Sequence, residues 1–239
     1  MALALCVESP SSKSESFCEF DVQRVTWRGD PSFFAYLSLM DLFNPNPHAN
    51  LLPQDGEVIY YGPIIPVNRA TAYFEDLFQN LPWKADEAIL HGKHYVTDRK
   101  VVLMGDRPFV YRYSGVTKTA LPWAEPVLEL KQLAEKTTGH TYNSCLANLY
   151  HNGSESMAWH SDGERNLQKD GAIASVSLGA ERKFSFKHKD TQAKVDVLLQ
   201  HGSILVMKGT CQTHWLHRLP PTKKVQRPRI SLTFRTIVE

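Results

Sequence analysis

From Gly139 onward the sequence breaks into short β-rich runs, YNSCLANLYH, IASVSLGA, RKFSFKHK, KVDVLLQHGSILVMK and PRISLTFRTIV, separated by turn formers. Evenly spaced runs of this kind predict an antiparallel sandwich or barrel. Upstream the period is helical. In NRATAYFEDLFQNLPW, Asn68 can cap a helix, Ala72, Tyr73, Leu77 and Leu81 fall near one face, and Pro82 stops it. PWAEPVLELKQLAEKTTGH gives a second helix, with Leu128, Leu130, Leu133 and Ala134 apolar and Gly139 as its C-cap. The expected class is mainly β with flanking helices (α+β). Residues 1–20 are expected to be a disordered arm, and 21–84 an N-terminal extension and helical support containing the helix-patterned PSFFAYLSLMDLF. A polar, Gly-punctuated stretch spans 85–120, and 121–239 holds a helix and the β core.

Composition narrows the class. With 239 residues the chain can bury a core without disulfide staples. Hydrophobic residues at 42% and charged residues at 22% fit neither disorder nor a membrane protein. No run approaches the roughly 20 apolar residues of a membrane span. The first residues lack the basic segment of a signal peptide. Cys6, Cys18, Cys145 and Cys211 form no CxxC pair, which points to reduced thiols and a cytoplasmic or nuclear setting. A net charge of +2 permits a nucleic-acid partner without requiring one.

Strand parity sorts the polar residues. In PRISLTFR, Arg229, Ser231 and Arg235 share one face while Ile230, Leu232 and Phe234 share the other. Asn148 and Tyr150 lie together, opposite Leu149. WHSDGE sets His160 and Asp162 on one side of a turn, and a His-x-Asp pair supplies two ligands of the 2-His-1-carboxylate triad of non-haem Fe(II). THWLHRLP offers two candidates for the third, His214 and His217. The arginines that follow suit a 2-oxo diacid, which chelates iron at one end and leaves a remote carboxylate for a guanidinium.

From about Asn80 to the C-terminus the chain resembles the AlkB family of Fe(II)/2-oxoglutarate dioxygenases, most closely its members that repair alkylated DNA bases. The motifs are NLYHNGSESMAWHSDGE, IASVSLGAERKFSFKHK, HGSILVMKGTCQTHWLHRLP and RPRISLTFR. The resemblance implies a double-stranded β-helix (jelly-roll) core, with 85–120 as a nucleotide-recognition lid. It implies His160, Asp162 and His217 as iron ligands, His217 being selected over His214 by the RLP that follows it. It implies Arg229, helped by Tyr150, as anchor for the distal carboxylate of 2-oxoglutarate, with Asn148 and Arg235 at the metal-bound end. Ser231 stands where the family often has Asn, which shortens that contact.

The implied reaction is oxidative demethylation of 1-methyladenine and 3-methylcytosine in DNA. It consumes O2 and 2-oxoglutarate and yields succinate and formaldehyde. A base must leave the stack to be oxidised; by the resemblance Tyr113 stacks on one face of it and His160 lies on the other, while Tyr111 and Glu164 reach its polar edges. Arg182, Lys183, Lys187 and Lys189, with Lys223, Lys224 and Arg227, are candidates for gripping phosphates. The expected partner is alkylated DNA or RNA, with no membrane and with the chain acting as a monomer. Alternatives are an RNA demethylase of the same family, an enzyme acting on a protein side chain, an inactive jelly-roll nucleic-acid-binding module, and a zinc hydrolase, which would leave the arginines without a role.

Overall fold

The runs after Gly139 pair as strands, and they recruit further strands from upstream. The computed structural model describes residues 49–90, 93–113 and 116–238, so the expected N-terminal arm and the PSFFAYLSLMDLF helix lie outside the described residues. The order of elements is β1 (Glu57–Pro63), α1 (Val67–Asn80), β2 (Lys84–Leu90), β3 (Lys93–Gly105), β4 (Val110–Tyr113), β5 (Val116–Thr119), α2 (Glu125–Thr138), β6 (Ser144–Tyr150), β7 (Met157–His160), β8 (Ile173–Gly179), β9 (Arg182–His188), β10 (Lys194–Leu199), β11 (Ser203–Lys208), α3 (Cys211–His214), β12 (Trp215–Leu219) and β13 (Arg229–Arg235).

Seven strands form one sheet in the order β1-β11-β8-β13-β6-β3-β2, and four form a second in the order β10-β9-β12-β7. The strand pairs within both are antiparallel. This mostly β architecture is the expected class. Three of the large sheet's strands, β1, β2 and β3, precede Gly139, so the upstream region is more than a helical support. The expected lid stretch is likewise part sheet: β3 pairs with β6 from Lys100↔Leu149 to Gly105↔Ser144.

The large sheet buries both faces. Ile230, Leu232 and Phe234 of β13 point to the side covered by α1 and α2, together with Ala147, Leu149, Val176 and Val206. Leu77 of α1 and Leu130 of α2 seal that side; burying each contributes about 2 kcal/mol. The other face meets the small sheet through Val58, Ile173, Phe186, Leu205 and Trp215. Period-two alternation thus sends one set of β13 side chains to the helices and the other between the sheets.

The helices refine the expected boundaries. Gly139 has φ 72° and its N–H donates to the Glu135 carbonyl at 2.9 Å, the left-handed C-cap expected of it. α1 starts at Val67 with Pro66 as its N-cap, so Asn68 is inside the first turn and does not cap. Its core face runs through Ala70 and Leu77 rather than the exposed Ala72. In α2, Val127 takes the core seat and Leu128 is half-buried.

Two local features depart from regular sheet and loop geometry. His217 pairs with His160 and Leu219 with Met157, so β7 spends three steps where β12 spends two. The extra residue is a β-bulge at Ala158–Trp159, and it lets Met157 and His160 face the same cavity although their spacing is odd. Gly153 is held by reciprocal backbone bonds to Val225 and Thr222, both 2.8 Å. A Cβ there would lie 2.3 Å from the Thr222 carbonyl oxygen, so only glycine lets the 222–227 loop lie this close.

Candidate metal centre and the adjoining pocket

β7, the turn after it and β12 bring His160, Asp162 and His217 together, with one donor atom from each within 4.8 Å of the others. The His160 and His217 rings are 4.2 Å apart edge to face, and His160 Nε2 lies 3.8 Å from Asp162 Oδ1. His160 Nδ1 donates to the Ala158 carbonyl at 2.8 Å, the carbonyl at the bulge. That bond fixes the tautomer and leaves the Nε2 lone pair for a metal. His217 is buried, and burial holds it neutral by lowering its pKa from 6.5 to about 3. Burial acts against the Asp162 carboxylate, yet Arg235, then His217 and His160, outweigh it and hold the group below its ordinary range. One ionised carboxylate, one imidazole held neutral by burial and a second imidazole oriented by the Ala158 carbonyl make a donor set suited to a divalent transition metal.

His214 goes elsewhere. Its ring stacks at 6.0 Å on His188, and with Asp55 these form a second cluster of metal-ligand type. The hydrogen bonds there read as a structural tie. His188 Nδ1 accepts from the N–H groups of Asp190 and Thr191 at 3.2 and 3.1 Å, so its proton is on Nε2, which donates to Asp55 at 3.1 Å. No lone pair is left on His188 for a cation.

The triad opens into a narrow cavity between the sheets, also lined by Asn148, Tyr150, Met157, Arg229, Ser231 and Arg235. The arginine face of β13 is therefore buried, not solvated. Arg235 Nη2 donates to Asp162 Oδ2 at 2.7 Å, tying pocket to triad. Arg229 is 2% exposed, and burial lowers its pKa to about 10, which leaves it charged at neutral pH. Its Nη2 donates to the Ser177 and Ser231 hydroxyls at 2.9 and 3.3 Å, its Nε is buried with no partner, and its Cζ lies 5.6 Å over the Tyr150 ring. A buried guanidinium answered by two neutral hydroxyls is under-satisfied and suits a bidentate carboxylate. Ser231 keeps a role despite its short reach, because it steers Arg229.

Sequence reasoning missed the charges behind Asn148. Asp86 of β2 and Arg99 of β3 form a buried ion pair, and Lys118 of β5 reaches the same carboxylate at 2.8 Å. Arg99 Nη1 donates to Asn148 Oδ1 at 3.0 Å and so orients its amide. The signal was Arg99 itself, a charge two residues before buried Val101 and on the same strand parity as Val101 and Leu103.

The other expected site residues divide. Glu164 lines a neighbouring cleft of about 340 Å³ that shares Asp162 and Arg235 with the cavity, and its buried Oε2 has no partner. Tyr111 and Tyr113 are on β4, paired to Lys118 and Val116 of β5; their side chains lie outside the described residues. Arg182 is corrected: it is 2% exposed and donates to the carbonyls of Asn152, Glu155 and Pro220, so it braces loops and cannot grip phosphate. Lys189 is corrected too, since its Nζ caps the end of α3 at the Gln212 and Thr213 carbonyls, 3.1 and 2.7 Å away. Lys183 pairs with Asp196 at 2.9 Å, and Lys187 lies 5.2 Å over the Trp159 ring. Cys145 and Cys211 are free and buried. Among the described residues no helix is long and apolar enough to cross a membrane.

Known proteins match this arrangement. The family model described as 2OG-Fe(II) oxygenase superfamily fits residues 57–235. The human alpha-ketoglutarate-dependent dioxygenase alkB homolog 3 is 38% identical over 190 residues, 75% of this chain and 66% of the relative. The mouse DNA oxidative demethylase ALKBH2 is 42% identical over 156 residues, 62% of this chain and 65% of the relative. The chain thus spans just under two thirds of the length of either relative. Among solved structures, OsALKBH1 superposes with a TM-score of 0.51 at 14% identity, over 77% of this chain and 99% of its own, which supports the fold. The chain belongs to the 2OG-Fe(II) oxygenase superfamily, and within it to the AlkB family.

Proposed function

We propose that this chain is an Fe(II)- and 2-oxoglutarate-dependent dioxygenase that removes N-methyl groups from DNA bases, with 1-methyladenine and 3-methylcytosine as substrates. The observation that carries the reading is Arg229, a buried cation with no carboxylate partner among the described residues, in the same cavity as His160, Asp162 and His217. The family implies iron and 2-oxoglutarate, and the donor set and the under-satisfied guanidinium both fit them.

His160, Asp162 and His217 would hold the iron. Arg229 would take the distal carboxylate of 2-oxoglutarate, with Ser231 and Tyr150 beside it, and Asn148 and Arg235 would face its other end. Iron, 2-oxoglutarate and O2 together supply an oxidant for a methyl C–H bond, with 2-oxoglutarate leaving as succinate and CO2. The protein's part is orientation and charge. The Ala158 carbonyl fixes one imidazole and burial keeps the other neutral. Arg235 keeps Asp162 ionised, and the two sheets wall the cavity. The N-hydroxymethyl product then sheds formaldehyde. A methylated base of this kind is cationic, which favours the unpartnered Glu164 oxygen at its edge.

Mass spectrometry of short oligonucleotides bearing either lesion, as DNA and RNA, single-stranded and duplex, tests this. Loss of one methyl mass that requires both Fe(II) and 2-oxoglutarate is expected, with DNA the better substrate. Succinate formation without any change in the oligonucleotides would overturn the substrate, and absence of both would overturn the enzyme.

A further inference from the structure

We propose that Gln212 is a positioning residue for the candidate metal centre: its side-chain carbonyl holds the backbone of Asp162 and so aims the carboxylate. The proposal rests on the metal reading above. The sheet itself positions two of the three ligands. His160 and His217 face each other as register partners on β7 and β12. Asp162 lies two residues beyond the end of β7, in a stretch, 161–164, that belongs to no strand or helix. A ligand on such a stretch needs a hold that the strand ladder does not give.

Two bonds supply it, at opposite ends of the residue. Arg235 Nη2 donates to Oδ2 at 2.7 Å, and the Asp162 N–H donates to Gln212 Oε1 at 2.8 Å. The first bond alone would let the carboxylate pivot about the oxygen it holds. The second fixes the peptide from which the side chain springs, and Oδ1 then lies 3.8 Å from His160 Nε2, on the side of the triad. The Gln212 amide has one workable orientation. Turned over, its NH2 would meet the Asp162 N–H, donor against donor; as it stands, that NH2 points to the Met207 sulfur at 3.6 Å.

The arm that reaches Asp162 is mounted on a fixed turn. Cys211 at the start of α3 and Trp215 just after it are fully buried, and the Trp215 indole N–H donates to the Gln54 carbonyl at 3.0 Å. Lys189 Nζ holds the Gln212 and Thr213 carbonyls, and the Lys189 N–H donates to the His214 carbonyl at 2.8 Å. α3 leads straight into β12. One short segment, 212–217, therefore carries the third ligand and steers the second, so His217 and Asp162 keep their relation as a single unit.

The test reads the bond and the metal separately in the full chain. Residue-resolved amide hydrogen exchange by NMR on metal-free protein reports the bond, and Mn(II) titration followed by electron paramagnetic resonance reports the site. Gln212→Met keeps the length of the side chain and removes the acceptor. It is expected to speed exchange at the Asp162 amide while the β12 amides keep their protection, and to weaken Mn(II) binding roughly tenfold. The melting temperature of the metal-free protein should change little. Gln212→Glu, which restores an acceptor oxygen at the same reach, should return both the protection and the affinity. Unchanged Mn(II) affinity in Gln212→Met would overturn the proposal while leaving the metal reading in place. Protection lost across β12 as well as at Asp162, or no recovery of affinity in Gln212→Glu, would make Gln212 a structural residue and overturn it too. Wild-type protein that binds no Mn(II) would overturn the metal reading and this proposal together. Neither readout involves a nucleic acid, so failure of the nucleobase substrate leaves both outcomes legible.

Discussion

Arg235 donates to Asp162 across 2.7 Å, inside a cavity that both residues help to line. One bond therefore joins the candidate iron ligand to the arginine strand. Removing one member of a buried pair strands the other charge, a loss of about 3–5 kcal/mol. Asp162→Ala should abolish metal binding and also lower the melting temperature. Asp162→Asn, which keeps the shape, should lose metal with a smaller thermal penalty. Mn(II) titration and thermal unfolding of both variants check this, and tight Mn(II) binding by either would remove Asp162 from the ligand set.

Arg229 should govern 2-oxoglutarate affinity. A lysine in its place is a point charge without the planar fork, so Arg229→Lys should raise the KM for 2-oxoglutarate by roughly 10-fold to 100-fold while moving kcat less. Ser231→Ala should be milder, a few-fold, since the Ser177 contact at 2.9 Å remains. Steady-state kinetics with varied 2-oxoglutarate read both, and an unchanged KM in Arg229→Lys would place the carboxylate elsewhere.

Arg99 should act through Asn148. Arg99→Met leaves Asp86 with Lys118 and frees the Asn148 amide to turn. The expected result is weaker 2-oxoglutarate binding and reduced stability. Adding Asn148→Ala should cost little more binding, because the two residues share one contact. A double-mutant cycle with additive losses would show that Arg99 does not position the amide.

Stability should fall in acid, with a sign set by two groups. His217 has a pKa near 3 in the folded chain against 6.5 unfolded. Between those values the unfolded chain binds the extra proton, so stability rises with pH and drops as pH falls from about 6.5. Asp162, with its pKa depressed, contributes stability above its ordinary 3.8 that is lost as pH falls through its folded value. Urea denaturation of metal-free protein from pH 7 to 4 should show the loss, and His217→Gln should flatten it. A wild-type profile flat over that range would contradict the burial of a neutral His217.

What the sequence made legible was alternation. PRISLTFR names the two faces of β13 without a structure, and His160, Asp162 and Arg229 follow from residue type and order. The hairpin β2–β3 was opaque because β3 changes environment along its length: residues 93–96 are exposed, whereas 101–105 are buried. Two periods mixed in one strand read as a loop. Arg182 and Lys189 were opaque for another reason. A basic side chain in a charge-rich run looks solvated, and only tertiary structure shows that carbonyls from distant loops consume its donors.

The bulge in β7 separates two requirements that usually travel together. Deleting Ala158 would restore regular alternation, with Met157 and the histidine still inward and the pairing to β12 intact. The sheet could do without that residue. The imidazole could not, because the carbonyl that turns it toward its neighbours belongs to the residue removed. At this edge, aim is encoded apart from pairing, in one surplus peptide unit.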